Sequence, residues 1–233
     1  MKARLISYSQ PVRHVHSGDL GIMGLDNIQD LVAYCARVSN PSNQANTKTT
    51  PKLLDYLIKH KHWSPFEMAS ICIEVETTRD IARQFLRHRS FSFQEFSQRY
   101  ADIRDLDNSV VIRKARLQDP KNRQASVITD NTGLHIAWEQ HQRNVWNSAM
   151  QAYEWAIENG IAKEQARSVL PEGNTISRLY VNGTIRSWIH YVELRSANGT
   201  QKEHADLAVE IARGISDIYP KVMEFVDDGT SST

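Results

Sequence analysis

Between Arg87 and Tyr100 the chain reads RHRSFSFQEFSQRY: three arginines, one histidine, three serines and two glutamines against a single acid, Glu95. Guanidinium forks match phosphate oxygens and bind them in pairs. Serine hydroxyls such as Ser92 and Ser97, together with backbone N–H groups, can complete an anion nest. Phe91, Phe93 and Phe96 alternate with these positions, and packing them inward would hold the donors still. Arg79 and Arg83 raise the arginines between 79 and 99 to five; those two alone suit a solvated helix face as well as an anion grip. Far downstream, Arg195 shares a helical stripe with Trp188 and Val192. A guanidinium on an apolar stripe keeps its charge and needs a partner, either a structural carboxylate or an anionic ligand.

The rest of the chain narrows the target. Lys and Arg number 28 against 27 acids in 233 residues, a net charge of +1. A local basic cluster in a near-neutral chain points to a small anion and away from nucleic acid or a membrane surface. The competing class is an RNA-binding module whose arginines hold phosphates while the three phenylalanines stack bases. Two cysteines, Cys35 and Cys72, are too few for a disulfide scaffold and fit a reduced, cytoplasmic compartment. The opening MKARLISYSQPVRH has no apolar core of a signal peptide, and no apolar run approaches the ~18 residues that span a bilayer. The length fits a single domain over 1–233, and no internal repeat occurs.

The elements that must carry these residues can be read from periodicity. Leu5–Ser9 alternates as a strand, and residues 10–26, with Pro11 and three glycines, read as a loop. Asn27 caps a helix with Ile28, Leu31, Val32 and Cys35 on one face. Thr50-Pro51 opens another, with Leu53, Leu54, Leu57 and Ile58 inward. Ile71, Ile73 and Val75 alternate with polar partners as a strand; Thr77 or Thr78 then caps a helix running toward His88, placing Arg83 and Arg87 on one face. Residues 102–133 read as a long surface loop. A long helix follows with Leu134, Trp138, His141, Val145, Ala149, Ala152 and Ala156 in one stripe, ending at Asn159-Gly160. Thr175–Val181 reads as a strand, Asn182-Gly183 as a turn, Thr184 as the next helix cap, and 203–218 as a last amphipathic helix before a frayed DDGTSST tail. Scattered strands without βαβ alternation give α+β, a central, mainly antiparallel sheet flanked by helices.

Arg87-His88-Arg89, then Ser97 and Arg99-Tyr100, resembles the signature of the flavin-dependent thymidylate synthases. AYCARVSN (33–40), HKHWSPFE (60–67), ARSVLP (166–171) and the helix ending at Arg195 resemble further segments of that family in the same order. The resemblance covers roughly residues 4–100 and 134–220 and departs from the common pattern at Ser64, Gln94 and His190, each of which keeps hydrogen-bonding capacity.

The resemblance implies conversion of dUMP to dTMP, with methylenetetrahydrofolate as carbon donor and NADPH as hydride donor through a bound FAD. It implies FAD contacts from Ser64, Arg87, His88, Arg89, Glu95, Arg186 and His190. It implies dUMP contacts from Gln84, Arg87, Glu95, Phe96, Ser97, Gln98, Arg99, Arg167 and Arg195. It places His62 near flavin and folate and the sites between subunits of a homotetramer, with the His62–Ser64 loop reaching a neighbour; a uracil ring losing its N3 proton would supply the anionic partner that Arg195 needs. The residues agree with this in three ways. The chain has no Gly-x-Gly-x-x-Gly loop: GDLGIMG at 18–24 has the wrong spacing, so a dinucleotide needs another phosphate grip. Neither cysteine has an adjacent basic residue to activate it, so no cysteine nucleophile is expected. His14/His16 and His60/His62 are pairs without a carboxylate or cysteine at matching spacing, and no metal is expected.

Overall fold

The computed structural model describes residues 1–12, 25–106 and 109–227. Most of the expected 10–26 loop, the GDLGIMG stretch, the His14/His16 pair and the tail beyond Asp227 lie outside the described residues. In chain order the first elements are β1 (Lys2–Tyr8), α1 (Ile28–Ala36), α2 (Thr50–Lys59), β2 (Ser70–Thr78), α3 (Arg79–Phe85) and β3 (Ser92–Glu95). Then follow β4 (Arg116–Gln118), β5 (Ser126–Ile128), α4 (Thr132–Glu158), α5 (Lys163–Ala166), β6 (Ile176–Thr184), α6 (Ile185–Ser196) and α7 (Lys202–Ser216).

The main sheet is antiparallel throughout, in the order β1-β2-β6-β3, as the α+β expectation requires. At its centre Ile73 faces Val181 and Val75 faces Leu179. These side chains join Trp188, Ile189, Leu207 and Ile211 of α6 and α7 in one fully buried core. Trp188 keeps its indole N–H satisfied there by donating to the Ile71 carbonyl at 3.0 Å. The opposite face carries charge, with Arg178 on Glu76 at 2.6 Å and Arg4 on Glu74 at 3.0 Å. A smaller core of Ile103, Leu106, Tyr153, Ala156, Ala166 and Leu170 lies under the C-terminal half of α4. Asn27, Asn131 and Thr184 cap α1, α4 and α6 with side-chain acceptors, and Gly160 ends α4 at φ 77°.

Four expectations change. Asn182-Gly183 is not a turn: β6 runs through it, paired with β2 on one side and β3 on the other. The glycine answers to a neighbour, because a Cβ at 183 would sit 2.3 Å from the Phe91 ring. The helix after β2 stops at Phe85, so Arg87 and His88 lie in the turn beyond it. The 102–133 segment contains a 3-10 turn at Ile103–Asp105 and the β4–β5 hairpin. Finally, the α4 stripe divides. Ala149 and Ala156 are buried beside Gln142, Trp146 and Tyr153, whereas Leu134, Trp138, His141, Val145 and Ala152 face outward.

Candidate active site

The expected site residues gather in three places. The first is a cleft of about 550 Å³ between the C-terminal ends of α3 and α6, the α6–α7 connection and the β4–β5 turn. Gln84, Arg87 and Arg195 line it together with Asn122 and Gln124 of the turn. Phe85 stacks on Tyr191 with ring centroids 4.4 Å apart and fixes α3 against α6. Beneath the cleft, half-buried Arg195 donates through Nε to Nε2 of His88 at 2.9 Å. Burial, with Arg195 and Arg87 adding repulsion, pushes His88 down to about pKa 4, so the imidazole is a neutral acceptor near pH 7. No carboxylate reaches Arg195 among the described residues, and its terminal nitrogens keep their donors free. Among the described residues, the structural ion pair allowed by the sequence does not form. Arg87 and Arg89, exposed on the turn, also meet no carboxylate among the described residues.

The second place is a cleft of about 340 Å³ lined by Arg79, Arg83, Gln98 and Arg167 with Glu164 and Glu172 at its rim. Arg79 is only 8% exposed and lies 3.6 Å from Glu95, which accepts a 2.8 Å bond from Ser177. Gln98 is 4% exposed and its Nε2 is buried without a partner among the described residues. A buried amide donor left unpaired costs free energy of about 1–3 kcal/mol, which an anion held among the arginines would relieve. Arg99 is paired with Glu164 at 3.4 Å, Ser97 is exposed, and Phe96 packs into the small core under α4. Arg83 turns to Glu172 at 3.5 Å, away from Arg87, because the helix ends before both can share a face.

The third place is a patch on α6 and the turn before β2. Arg186 pairs with Glu67, and His190 meets Trp63 edge-on at 4.9 Å. Burial lowers the His190 pKa, with Arg186 adding to the effect. Ser64 is exposed at the start of the same turn. His62 is exposed beside His60 and Tyr56, its ring 6.1 Å and 6.0 Å from theirs.

One chain thus brings Gln84, Arg87, His88 and Arg195 together. It holds Glu95, Gln98, Arg99 and Arg167 at a separate cleft that shares no lining residue with the first. Sequence reasoning missed His204, fully buried at 0% exposure with Nδ1 3.3 Å from Gln84 Oε1. It also missed Gln201, which accepts from Gln84 at 2.8 Å. The signal for His204 was present: it leads the buried stripe of α7 that continues through Ala208, Ile211 and Ile215. Arg79 gave no such signal. Cys35 and Cys72 are unpaired, and burial raises both thiol pKa values, which disfavours the thiolate.

A family model described as thymidylate synthase complementing protein matches residues 22–221. The chain is similar to a probable flavin-dependent thymidylate synthase of Paramecium bursaria Chlorella virus 1, 46% identical over 97% of this chain and 99% of that one. It is similar to a flavin-dependent thymidylate synthase of Synechocystis sp., 45% identical over 95% of this chain and 97% of that one. Among solved structures, the crystal structure of the UMP/dUMP methylase PolB from Streptomyces cacaoi, bound with 5-Br dUMP, matches with a TM-score of 0.76. That match has 25% identity and covers 96% of this chain and 93% of that one.

Proposed function

This chain belongs to the flavin-dependent thymidylate synthases, and we propose that its three clusters are parts of one site that methylates dUMP to dTMP. Methylenetetrahydrofolate gives the carbon, NADPH gives the hydride, and FAD is the resident cofactor. The observation that carries the reading is Arg195: a charge lodged half-buried, positioned through Nε by a neutral histidine, with no carboxylate among the described residues to neutralise it. Such a guanidinium is prepared for an anion that forms during reaction. A uracil ring losing its N3 proton is that anion, and holding the charge makes C5 more nucleophilic.

The donor set fits FAD. Arg87 and Arg89 offer unpaired forks to a pyrophosphate, and His190 and Trp63 offer an aromatic wall. Ser64, His88, Glu95 and Arg186 complete the cofactor contacts of this reading. When bound, FAD supplies the hydride transfer that no side chain of this protein can perform. Gln98, Ser97, Arg99 and Arg167 grip the dUMP phosphate, with buried Arg79 supporting them through Glu95. Gln84, Phe96 and Arg195 hold the rest of the nucleotide. His62, on its exposed loop, serves the flavin and folate side.

Because the phosphate cleft and the Arg195 cleft do not merge within one chain, the reading requires a neighbour. We take the assembly to be a homotetramer of single-domain chains, each site drawing its phosphate grip from one subunit and Arg195 from another. The outward apolar residues of α4 supply a surface for that association. Two unpaired cysteines fit a cytoplasmic location.

The direct test is dTMP formation by the FAD-loaded protein with NADPH, methylenetetrahydrofolate and dUMP, omitting each substrate in turn and, separately, stripping the flavin. Every omission, and removal of the flavin, is expected to abolish product. Undiminished dTMP without NADPH, or from flavin-free protein, would contradict the reading.

A further inference from the structure

Behind the Arg195 cleft runs a chain of polar groups whose direction is set at one end. Arg116 of β4 grips Glu203 through both terminal nitrogens, at 2.7 and 2.9 Å. Burial works to raise the Glu203 pKa, but the hydrogen bonds from Arg116, its own backbone and Gln201 bring it down to about 2. Glu203 is therefore a carboxylate near neutral pH and can only accept. Gln201, 3.1 Å away, must turn its Nε2 toward it. That leaves Gln201 Oε1 facing Gln84, so Gln84 must donate its Nε2 there, at 2.8 Å. Gln84 Oε1 is then turned to His204 Nδ1 at 3.3 Å, which must carry the imidazole proton. His204 Nε2 is left as the acceptor for the Tyr191 hydroxyl at 3.2 Å. Tyr191 is suited to donate, since burial raises its pKa. Burial, with Arg195 and His88 adding, pushes His204 down to about pKa 3, so it has no second proton to give.

We propose that His204 is a positioning residue for the nucleotide: with Gln201 it fixes which way round the Gln84 amide faces, under direction from the ion pair between Arg116 of the β4–β5 hairpin and Glu203 of α7. Each link allows one polarity because the previous link allows one. Gln84 keeps one Nε2 hydrogen and one Oε1 lone pair, in a set order, for whatever occupies the cleft beside Arg87 and Arg195. A glutamine free to rotate would offer either order and lose the ordering entropy on binding. The hairpin within residues 102–133 thereby acquires a role. Its Arg116 anchors the relay, and its turn residues Asn122 and Gln124 wall the same cleft.

The proposal rests on the reading of this cleft as the dUMP site, and its test separates the two. Solid-state NMR of protein with isotope-labelled histidine reports which imidazole nitrogen is protonated, and subtraction of a His204→Asn spectrum assigns the resonances. The relay requires His204 protonated on Nδ1 and bare on Nε2; the opposite tautomer, or an imidazolium near pH 7, overturns it. In kinetics, His204→Leu removes the donor and is expected to raise KM for dUMP by about five- to tenfold with FAD affinity unchanged. His204→Asn places an amide N–H close to the lost Nδ1–H and is expected to recover KM to within about twofold. An unchanged KM in His204→Leu, or equal losses of dUMP and FAD affinity that Asn does not repair, overturns the positioning role. Failure of the unaltered protein to bind dUMP removes the parent reading, and this proposal with it, before any variant is compared.

Discussion

In the proposed site Arg195, held by His88, carries the chemistry, and these residues make two predictions. Lysine at 195 keeps a charge but has no Nε for His88 to hold and no delocalised fork. Arg195→Lys is expected to lower kcat for dTMP formation by about a hundredfold or more while the protein stays folded and binds FAD. His88 and His204 titrate near 4 and 3 in the folded protein, against 6.5 when free. The unfolded chain therefore takes up protons first as pH falls. Stability from these two groups is full above about pH 6.5 and declines as pH drops toward 4. Glu203, depressed to about 2 from 4.5, adds its loss only below 4.5. The interval between about pH 6.5 and 4.5 thus isolates the histidines. Urea midpoints measured across it should slope downward toward acid in the unaltered protein and slope less in His204→Asn. Both thiols have burial-raised pKa values, so replacing Cys35 and Cys72 together with alanine should leave turnover within about twofold; abolished turnover in a folded double variant would reinstate a thiolate mechanism.

Two backbone positions test how the elements hold these residues. Lys61 follows α2 at φ 57°, with Lys61 N–H bonded to Ile58 and His62 N–H to the Leu57 carbonyl. This helix ending usually takes glycine, because a Cβ in the left-handed region costs about 1–2 kcal/mol. Lys61→Gly should stabilise the protein by up to about 1 kcal/mol in urea unfolding, net of the added freedom in the unfolded chain. At Gly183 a Cβ would strike Phe91, which packs on Phe85 and Trp188. Gly183→Ala should destabilise by about 1–3 kcal/mol and weaken FAD binding by shifting the Arg87–Ser90 turn. The same glycine shows where sequence reading stops. Asn-Gly is a strong local turn signal, but pairing with strands on both sides outweighs it, and that pairing is not local. Strand alternation in Ile71, Ile73 and Val75 and the caps Asn27 and Thr184 were readable because the cause lies within a few residues. The cluster of Arg87, His88 and Arg195 was readable from motif and stripe. The relay through Gln201 and His204, and the burial of Arg79, were not, because partners more than a hundred positions away, or across the sheet, create them.

At the scale of the proposed assembly, α4 is the surface that would bring the parts of the site together. Leu134, Trp138, Val145 and Trp155 are exposed at 37%, 45%, 56% and 60%. With His141, Ser148 and Ala152 they repeat every three or four residues from 134 to 155 of the 27-residue helix, the spacing of a helix–helix seam. An uncovered apolar stripe of this length suits a second copy of the chain. Trp138→Glu with Val145→Glu should shift sedimentation toward smaller species and lower turnover by about tenfold or more, since neither change touches a proposed contact with substrate or cofactor. The whole account reduces to flavin and nucleotide sharing one arginine-lined site, and the visible absorption spectrum of the purified protein, recorded before and after dUMP is added, tests it. The expected result is a yellow protein with about one FAD per chain whose flavin bands shift on adding dUMP, a shift weakened in Arg195→Lys. A colourless protein that FAD does not reconstitute, or a bound flavin whose bands ignore dUMP, would contradict it.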